Sequence, residues 1–293
     1  MKDYVIRATN KEHTIRIFAA LTTEMVENAR KTHNTTPVAT AALGRTLTAS
    51  SIMGLMMKGE KDKLTITIKG NGPIGSIVTV ANSKGVVKGY VSNPDVDVPL
   101  KYAGKLDVSA AVGNTGSMTV IKDLGLKKPY VGKYQIVSGE IAEDFTAYFA
   151  HSEQQPSAVA LGVLVDVDYS VKAAGGFIVQ LMPDASEEII STLEKNLSNM
   201  LPISKLIEEG KTPQDIVAIV LEGIEYEVLE KHNVRFECDC NRERIEKALI
   251  TLGKNTLNEI LEQDKKAEIS CHFCNEKYEF DEENIKTIIK NMG

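Results

Sequence analysis

Phe236-Glu-Cys238-Asp-Cys240-Asn-Arg-Glu-Arg244 and Glu268-Ile-Ser-Cys271-His-Phe-Cys274-Asn-Glu-Lys-Tyr-Glu-Phe280 hold all four cysteines of the chain. The pattern is Cys-x-Cys, thirty intervening residues, then Cys-x-x-Cys. Zinc favours tetrahedral thiolate coordination, and a closely spaced pair supplies two ligands from one turn. One zinc ion on Cys238, Cys240, Cys271 and Cys274 is therefore expected. The gap is wide for a simple zinc ribbon but holds two helical patterns, over 242–252 and 256–263, with Gly253 able to end the first. The second pair reads as strand, metal knuckle, strand, followed by a helix over 281–290. With so few apolar residues nearby, metal binding should supply much of this region's folding free energy, about 10–16 kcal/mol in zinc-finger peptides.

The chain changes character ahead of the cysteines. From Pro183 it reads as helical and β-poor. Asp184-Ala-Ser-Glu187 has the form of a capping box, with Ile189, Ile190, Leu193, Leu197 and Met200 following at helical intervals. Pro202 stops that helix. Thr212-Pro-Gln-Asp215 opens another, carrying Ile216, Ile219, Val220 and Ile224. Short amphipathic helices depend on docking for stability, so this connector suits a switch.

Ahead of Pro183, short β-type runs alternate with turns. Residues 64–68 (LTITI) alternate apolar and polar, the mark of a half-buried strand. Further strands are predicted over 5–8, 13–19, 63–69, 77–81, 86–92, 118–122, 134–138, 158–167 and 176–181. Helices are predicted over 23–32, after Thr36-Pro37 as far as Gly59, and over 141–151. The fold class is α+β: an α+β core domain over 1–182, a helical linker over 183–230 and a small C-terminal zinc-binding domain over 231–293.

Composition excludes several functions. Across 293 residues, 43% are hydrophobic and 25% charged, so whole-chain disorder is not expected. The net charge of -6, with no basic tract and no Trp, argues against nucleic acid as a partner. Met1-Lys-Asp-Tyr-Val-Ile-Arg-Ala-Thr-Asn10 lacks the apolar core of a secretory signal. The apolar stretch at 158–167 is too short for a membrane span and contains Asp166. The expected compartment is the cytoplasm, where clustered cysteines bind metal or carry redox chemistry rather than form a disulfide framework.

Other motifs are weaker. The glycines of 109–117 suggest a phosphate loop but lack its Gly-Lys-Ser/Thr ending, so they read as a plain loop. Gly175-Gly176 reads as a bend or bulge in a strand. Met53, Met56 and Met57 read as core, and His232 and His272 as bystanders of the cysteines. No catalytic constellation is visible, so an enzyme is not expected. Spacing permits either a structural zinc site or a switch in which each close pair forms a local disulfide.

The cysteine stretches, with Gly113-Asn-Thr-Gly-Ser-Met-Thr-Val120, Gly139-Glu-Ile-Ala-Glu-Asp144 and Gly175-Gly-Phe-Ile-Val-Gln-Leu-Met-Pro-Asp184, carry a resemblance. The chain resembles the heat shock protein 33 family of redox-regulated chaperones over essentially its full length. That resemblance implies an ATP-independent holdase, inactive when reduced and zinc-bound. Oxidation would form the disulfides Cys238–Cys240 and Cys271–Cys274, release zinc, unfold the zinc domain and destabilise the linker. The protein would then form a homodimer and hold unfolding client proteins. Ile189, Ile190, Leu193, Leu197, Ile216, Ile219 and Val220 are the candidate client-binding surface. The rivals are a constitutive protein- or RNA-binding module with a structural zinc site, and a thiol–disulfide oxidoreductase using Cys271 and Cys274.

Overall fold

Strands β1 (Tyr4–Asn10) and β2 (Ile15–Leu21) open the chain. In the computed structural model, which describes residues 2–292, both strands are buried on both faces. Phe18 and Ala20 enter one core, while Ile15, Ile17, Ala19 and Leu21 enter a second. Side chains alternate along a strand, so a run apolar at nearly every position needs a covering layer on each side. The rest of the first compact unit, which ends at Phe236, supplies those layers.

The elements that follow are α1 (Thr23–His33), α2 (Pro37–Leu55), β3 (Lys63–Gly70), β4 (Ser76–Asn82), β5 (Val86–Val91), α3 (Val108–Val112), β6 (Gly116–Asp123), β7 (Tyr130–Gln135), α4 (Ala142–His151), β8 (Ser157–Val165) and β9 (Val171–Leu181). Then come α5 (Glu187–Ser198), α6 (Ile203–Glu208), α7 (Pro213–Val220), β10 (Tyr226–Asn233) and β11 (Arg235–Phe236). Two sheets result, with strand orders β10-β1-β2-β9-β8 and β11-β5-β4-β3-β6-β7.

Helix α2 packs against strands of both sheets and is buried nearly all round. Its hydroxyls would be costly there without partners. Thr46, Thr48 and Ser50 donate to the carbonyls of Ala42, Gly44 and Thr46, at 2.9, 2.9 and 2.7 Å. Thr36 does not cap α2 with its side chain; its hydroxyl donates to the Val96 carbonyl at 2.6 Å instead, and Pro37 starts the helix. Met53 is buried, and Met56 and Met57 pack against the same core. On the other face of the five-stranded sheet, α5, α6 and α7 contribute Leu193, Ile203, Leu206, Ile216, Val217 and Val220 to the second core.

Several elements differ from the sequence expectations. Strand β10 lies where the helical pattern was expected to continue. It pairs antiparallel with β1, from Tyr4↔Asn233 to Asn10↔Tyr226, with every residue exposed. An edge strand with neither face buried carries no hydrophobic period to announce it. Helix α6 begins directly after Pro202, and α3 occupies part of the expected 109–117 loop, capped by Asp107 accepting from the Ala110 N–H. Gly175 and Gly176 form no bulge. They sit in regular pairing with β2 and β8, where added side chains would strike the Ala20 and Ala160 carbonyls; the irregularity falls at Leu164/Val165. Among the described residues, no helix is long and apolar enough to cross a membrane.

The second unit, Glu237–Gly293, holds α8 (Arg242–Ile250), α9 (Lys254–Gln263), β12 (Ala267–Ser270), β13 (Lys277–Phe280) and α10 (Glu282–Asn291). Leu249, Leu257, Phe280, Ile285 and Ile288 form its buried core. It is a small core for independent stability.

Asp3 is buried ahead of β1. Its Oδ2 accepts from the Met25 N–H at 2.6 Å, and its Oδ1 has no partner among the described residues. Burial raises its pKa from 3.8 to about 6, against the lowering pull of hydrogen bonds from the Met25 and Glu24 backbone. Between those values the folded chain keeps a proton that the unfolded chain has lost, so this group's contribution to stability falls as pH rises from about 4 to about 6. Asp3→Asn keeps an acceptor for Met25 without the charge. It is expected to stabilise the first unit by about 1–3 kcal/mol at pH 7.5 and negligibly at pH 4, measured by urea unfolding at both pH values.

Candidate metal centre

Cys238 and Cys240 precede α8, in a segment without regular secondary structure. Their i, i+2 spacing lets both side chains turn to the same side of an extended run. Asn241 then caps α8, its side-chain oxygen accepting from the Arg244 N–H at 2.9 Å. Arg242 fastens this segment to the other half of the unit. Its guanidinium donates to the Glu279 carbonyl at 2.9 Å and to Asn284 Oδ1 at 2.7 Å, and lies 4.4 Å from the centre of the Phe280 ring.

Cys271 and Cys274 sit in the turn joining β12 to β13, which pair from Ala267↔Phe280 to Ser270↔Lys277. The Cys271 carbonyl accepts from the Asn275 N–H at 2.7 Å, and the Cys271 N–H donates to the Glu276 carbonyl at 2.9 Å. Asn275 closes the turn with φ of 58°, in the left-handed region that asparagine tolerates.

The four sulfurs all lie within 4.8 Å of one another. Cys238 and Cys271 are 3.8 Å apart, Cys240 and Cys274 are 3.3 Å apart, and none of the four is in a disulfide. Zinc–sulfur bonds of about 2.3 Å in a tetrahedron place sulfurs about 3.8 Å apart, so the donor set fits zinc in kind, number and spacing. The group contains no histidine. His232 lies on β10 and pairs with Glu230 at 3.0 Å, and His272 is exposed.

The electrostatics favour a cation among these thiols. Burial and the neighbouring sulfurs push the Cys274 thiol up, against the backbone hydrogen bond from Glu276. At Cys240 burial also pushes upward, but the Tyr278 hydroxyl and the other three sulfurs outweigh it and the thiol falls below its ordinary value. Adjacent thiolates repel, so one sulfur ionises readily at its neighbour's expense. A divalent cation would relieve that repulsion and deprotonate all four.

Tyr278 was missed in the sequence. Its hydroxyl donates to Cys240 Sγ at 3.2 Å, and that bond raises its own pKa. In Lys277-Tyr-Glu-Phe280 an aromatic reads simply as a strand former, four residues past Cys274.

The seven apolar residues singled out between Ile189 and Val220 lie in the first unit. Leu193, Ile216 and Val220 are buried in the second core, Ile189, Leu197 and Ile219 pack against it, and Ile190 is half-buried. In this state they belong to the covering of the five-stranded sheet.

Comparison with known proteins places this geometry. A family model described as Hsp33 protein matches residues 3–281. The 33 kDa chaperonin of Clostridioides difficile is 58% identical over the whole of both chains, and that of Bacillus velezensis is 52% identical over 98% of each. The crystal structure of the 33 kDa chaperonin of Thermotoga maritima superposes with a TM-score of 0.92, at 40% identity over 99% of both chains.

Zinc added to reduced, metal-free protein is expected to bind one ion per chain and to order 237–292, followed by circular dichroism. Tyr278→Phe removes the donor to Cys240 and should weaken zinc binding about 10–100-fold in a chelator competition, whereas His272→Ala should leave it unchanged.

Proposed function

The chain belongs to the Hsp33 family, and from that premise we propose that it is a redox-regulated, ATP-independent holdase that binds unfolding proteins and prevents their aggregation. The observation that carries the reading is the cluster of four mutually adjacent cysteine sulfurs, none in a disulfide, in a unit with a small core. A reducing cytoplasm is the compartment that would keep them as thiols.

Zinc, when bound, supplies the charge that holds four thiolates together and a cross-link between the segment before α8 and the β12–β13 turn. Cys238, Cys240, Cys271 and Cys274 are its proposed ligands. Peroxide takes two electrons from each close pair of thiolates and two protons from solvent, leaving one S–S bond and two waters. The proposed bonds are Cys238–Cys240 and Cys271–Cys274, pairings that rest on the family resemblance. Disulfide sulfurs are poor ligands, so the zinc affinity is lost with the thiolates. The folding free energy that metal binding contributed is lost too, and five buried side chains are a weak basis for order in what is left.

The helices α5, α6 and α7 are the second part of the reading. They are short, and their stability comes from the sheet they cover. Once released, they would expose Ile189, Ile190, Leu193, Leu197, Ile216, Ile219 and Val220 together with the sheet face beneath. An apolar area of that kind suits both unfolded clients and a second copy of the chain.

The test is light scattering from a thermally unfolding client, comparing reduced, zinc-loaded protein with protein treated with peroxide at elevated temperature. Zinc release and sedimentation are followed in the same samples. Suppression is expected only after oxidation, together with zinc release and dimer formation, and should reverse with thiol reductant. Equal suppression in both states would instead indicate a constitutive binding module. Cys271→Ser should suppress aggregation without peroxide, because one lost thiolate weakens the metal site.

A further inference from the structure

A cleft of about 390 Å³ is lined by residues from the end of α2 and from β2, β6, α4 and β9. Its volume lies in the range of small-molecule sites, which are mostly apolar with a few fixed polar groups. Met53, Phe149 and Gln180 line it and are buried, so they form its floor. Met56 and Met57, just past α2, are half-buried walls, and Leu124 is exposed at the rim. Methionine side chains are flexible and polarisable and adapt to apolar ligands of different shape. Every lining residue lies between Arg16 and Gln180, so the cleft belongs neither to α5–α7 nor to the second unit.

Five charged groups line the cleft, three cations and two carboxylates, and they are not equivalent. Glu153 accepts from Lys122 Nζ and, at 2.8 Å, from the Tyr148 hydroxyl, so this pair neutralises itself. Asp62 accepts from the Gly59 N–H at 2.8 Å, and Lys58, of opposite charge, is exposed to water. Arg16 is half-buried and lacks a counter-charge. Its Nε and Nη2 donate to Gln180 Oε1 at 3.2 and 2.6 Å, and among the described residues no carboxylate pairs with it. Burial lowers its pKa, with Arg7 acting the same way and Glu153 the opposite.

The guanidinium is also fixed in direction. Gln180 is 2% exposed, and its Nε2 donates to Ser157 Oγ at 3.2 Å, which holds its oxygen toward Arg16. Nε and one hydrogen of Nη2 are engaged there. The remaining edge presents one hydrogen each from Nη1 and Nη2 side by side, the fork that takes both oxygens of a carboxylate. A half-buried cation with an open edge carries a desolvation cost that a bound anion would offset.

The ligand class follows from the two halves together. An inorganic anion would leave the methionines and Phe149 wet, and a neutral hydrocarbon would leave Arg16 without its counter-charge. One guanidinium and a net charge of +1 around the cleft match a single negative charge. We propose that this cleft binds a monocarboxylate with an apolar tail, of the size of a medium-chain fatty acid. Its carboxylate would sit on Arg16 and its tail over Met53, Met56, Met57 and Phe149. The site uses no thiol and no part of 187–220, so it stands or falls apart from the holdase reading.

The experiment is isothermal titration calorimetry of decanoate, below its micellar concentration, into the reduced, full-length chain. One site per chain is expected. Decyltrimethylammonium keeps an equal tail with the opposite charge, and acetate keeps the head alone; each is expected to bind about tenfold more weakly or less. Arg16→Met should weaken decanoate binding about 10–100-fold, and Met56→Glu, which sets a like charge beside the tail, several-fold, with circular dichroism unchanged. No decanoate binding, equal binding of decyltrimethylammonium, several equivalent sites per chain, or unchanged affinity in a folded Arg16→Met chain would overturn the proposal. The ligand comparisons use the unaltered chain, so they decide the matter even where a variant fails to fold. Aggregation assays on the oxidised chain read the holdase separately: suppression without decanoate binding sinks this site and leaves the holdase standing.

Discussion

A β-sheet that is apolar on both faces must be covered on both faces, and the first unit is arranged around that requirement. Strands β1, β2 and β9 bury side chains on each side, so no single layer can satisfy them. One side receives α2, which is itself buried and must satisfy its hydroxyls internally. The other receives α5, α6 and α7. These two coverings are not equivalent. Helix α2 lies between two sheets, while α5–α7 are short helices with a polar outer surface and only one apolar contact face.

That asymmetry gives the proposed switch its physical content. A single large helix sandwiched between sheets cannot leave without unfolding the unit. Three short amphipathic helices can leave while both sheets persist, and the sheet face they cover is a ready apolar surface. The four thiols occupy the other compact unit, whose small core would make its order sensitive to a bound metal. In the proposed switch, redox chemistry at sulfur, metal affinity and folding free energy would be linked in that unit, because a thiolate is at once nucleophile and ligand.

Legibility in the sequence followed locality. The cysteine spacings read directly, because each close pair forms its part of the site within a few residues. Thr212 also read directly as a helix start, and in the structure its side chain accepts from the Asp215 N–H; the capping box read over 184–187 did not form, and the cap is Ser186, which accepts from the Ile189 N–H. Strand β10 did not read directly, since its order comes from β1, more than two hundred residues away, and not from an apolar period of its own. Thr36 looked like a cap but is drawn to the Val96 carbonyl, a tertiary contact that local pattern cannot carry. Gly175 and Gly176 looked like a bend because glycine is permissive; the structure needs them for close approach of neighbouring strands. Tyr278 was hidden for a related reason, its role depending on where Cys240 comes to lie.

The central claim is that the oxidation state of the four thiols controls the covering of the five-stranded sheet. Hydrogen exchange followed by mass spectrometry, on the full-length chain before and after peroxide treatment with zinc removal, addresses it most directly. The account predicts that protection is lost across 267–280 and across 187–220, while peptides from β2, β9 and α2 stay protected. Loss confined to 267–280, with 187–220 still protected, would contradict it.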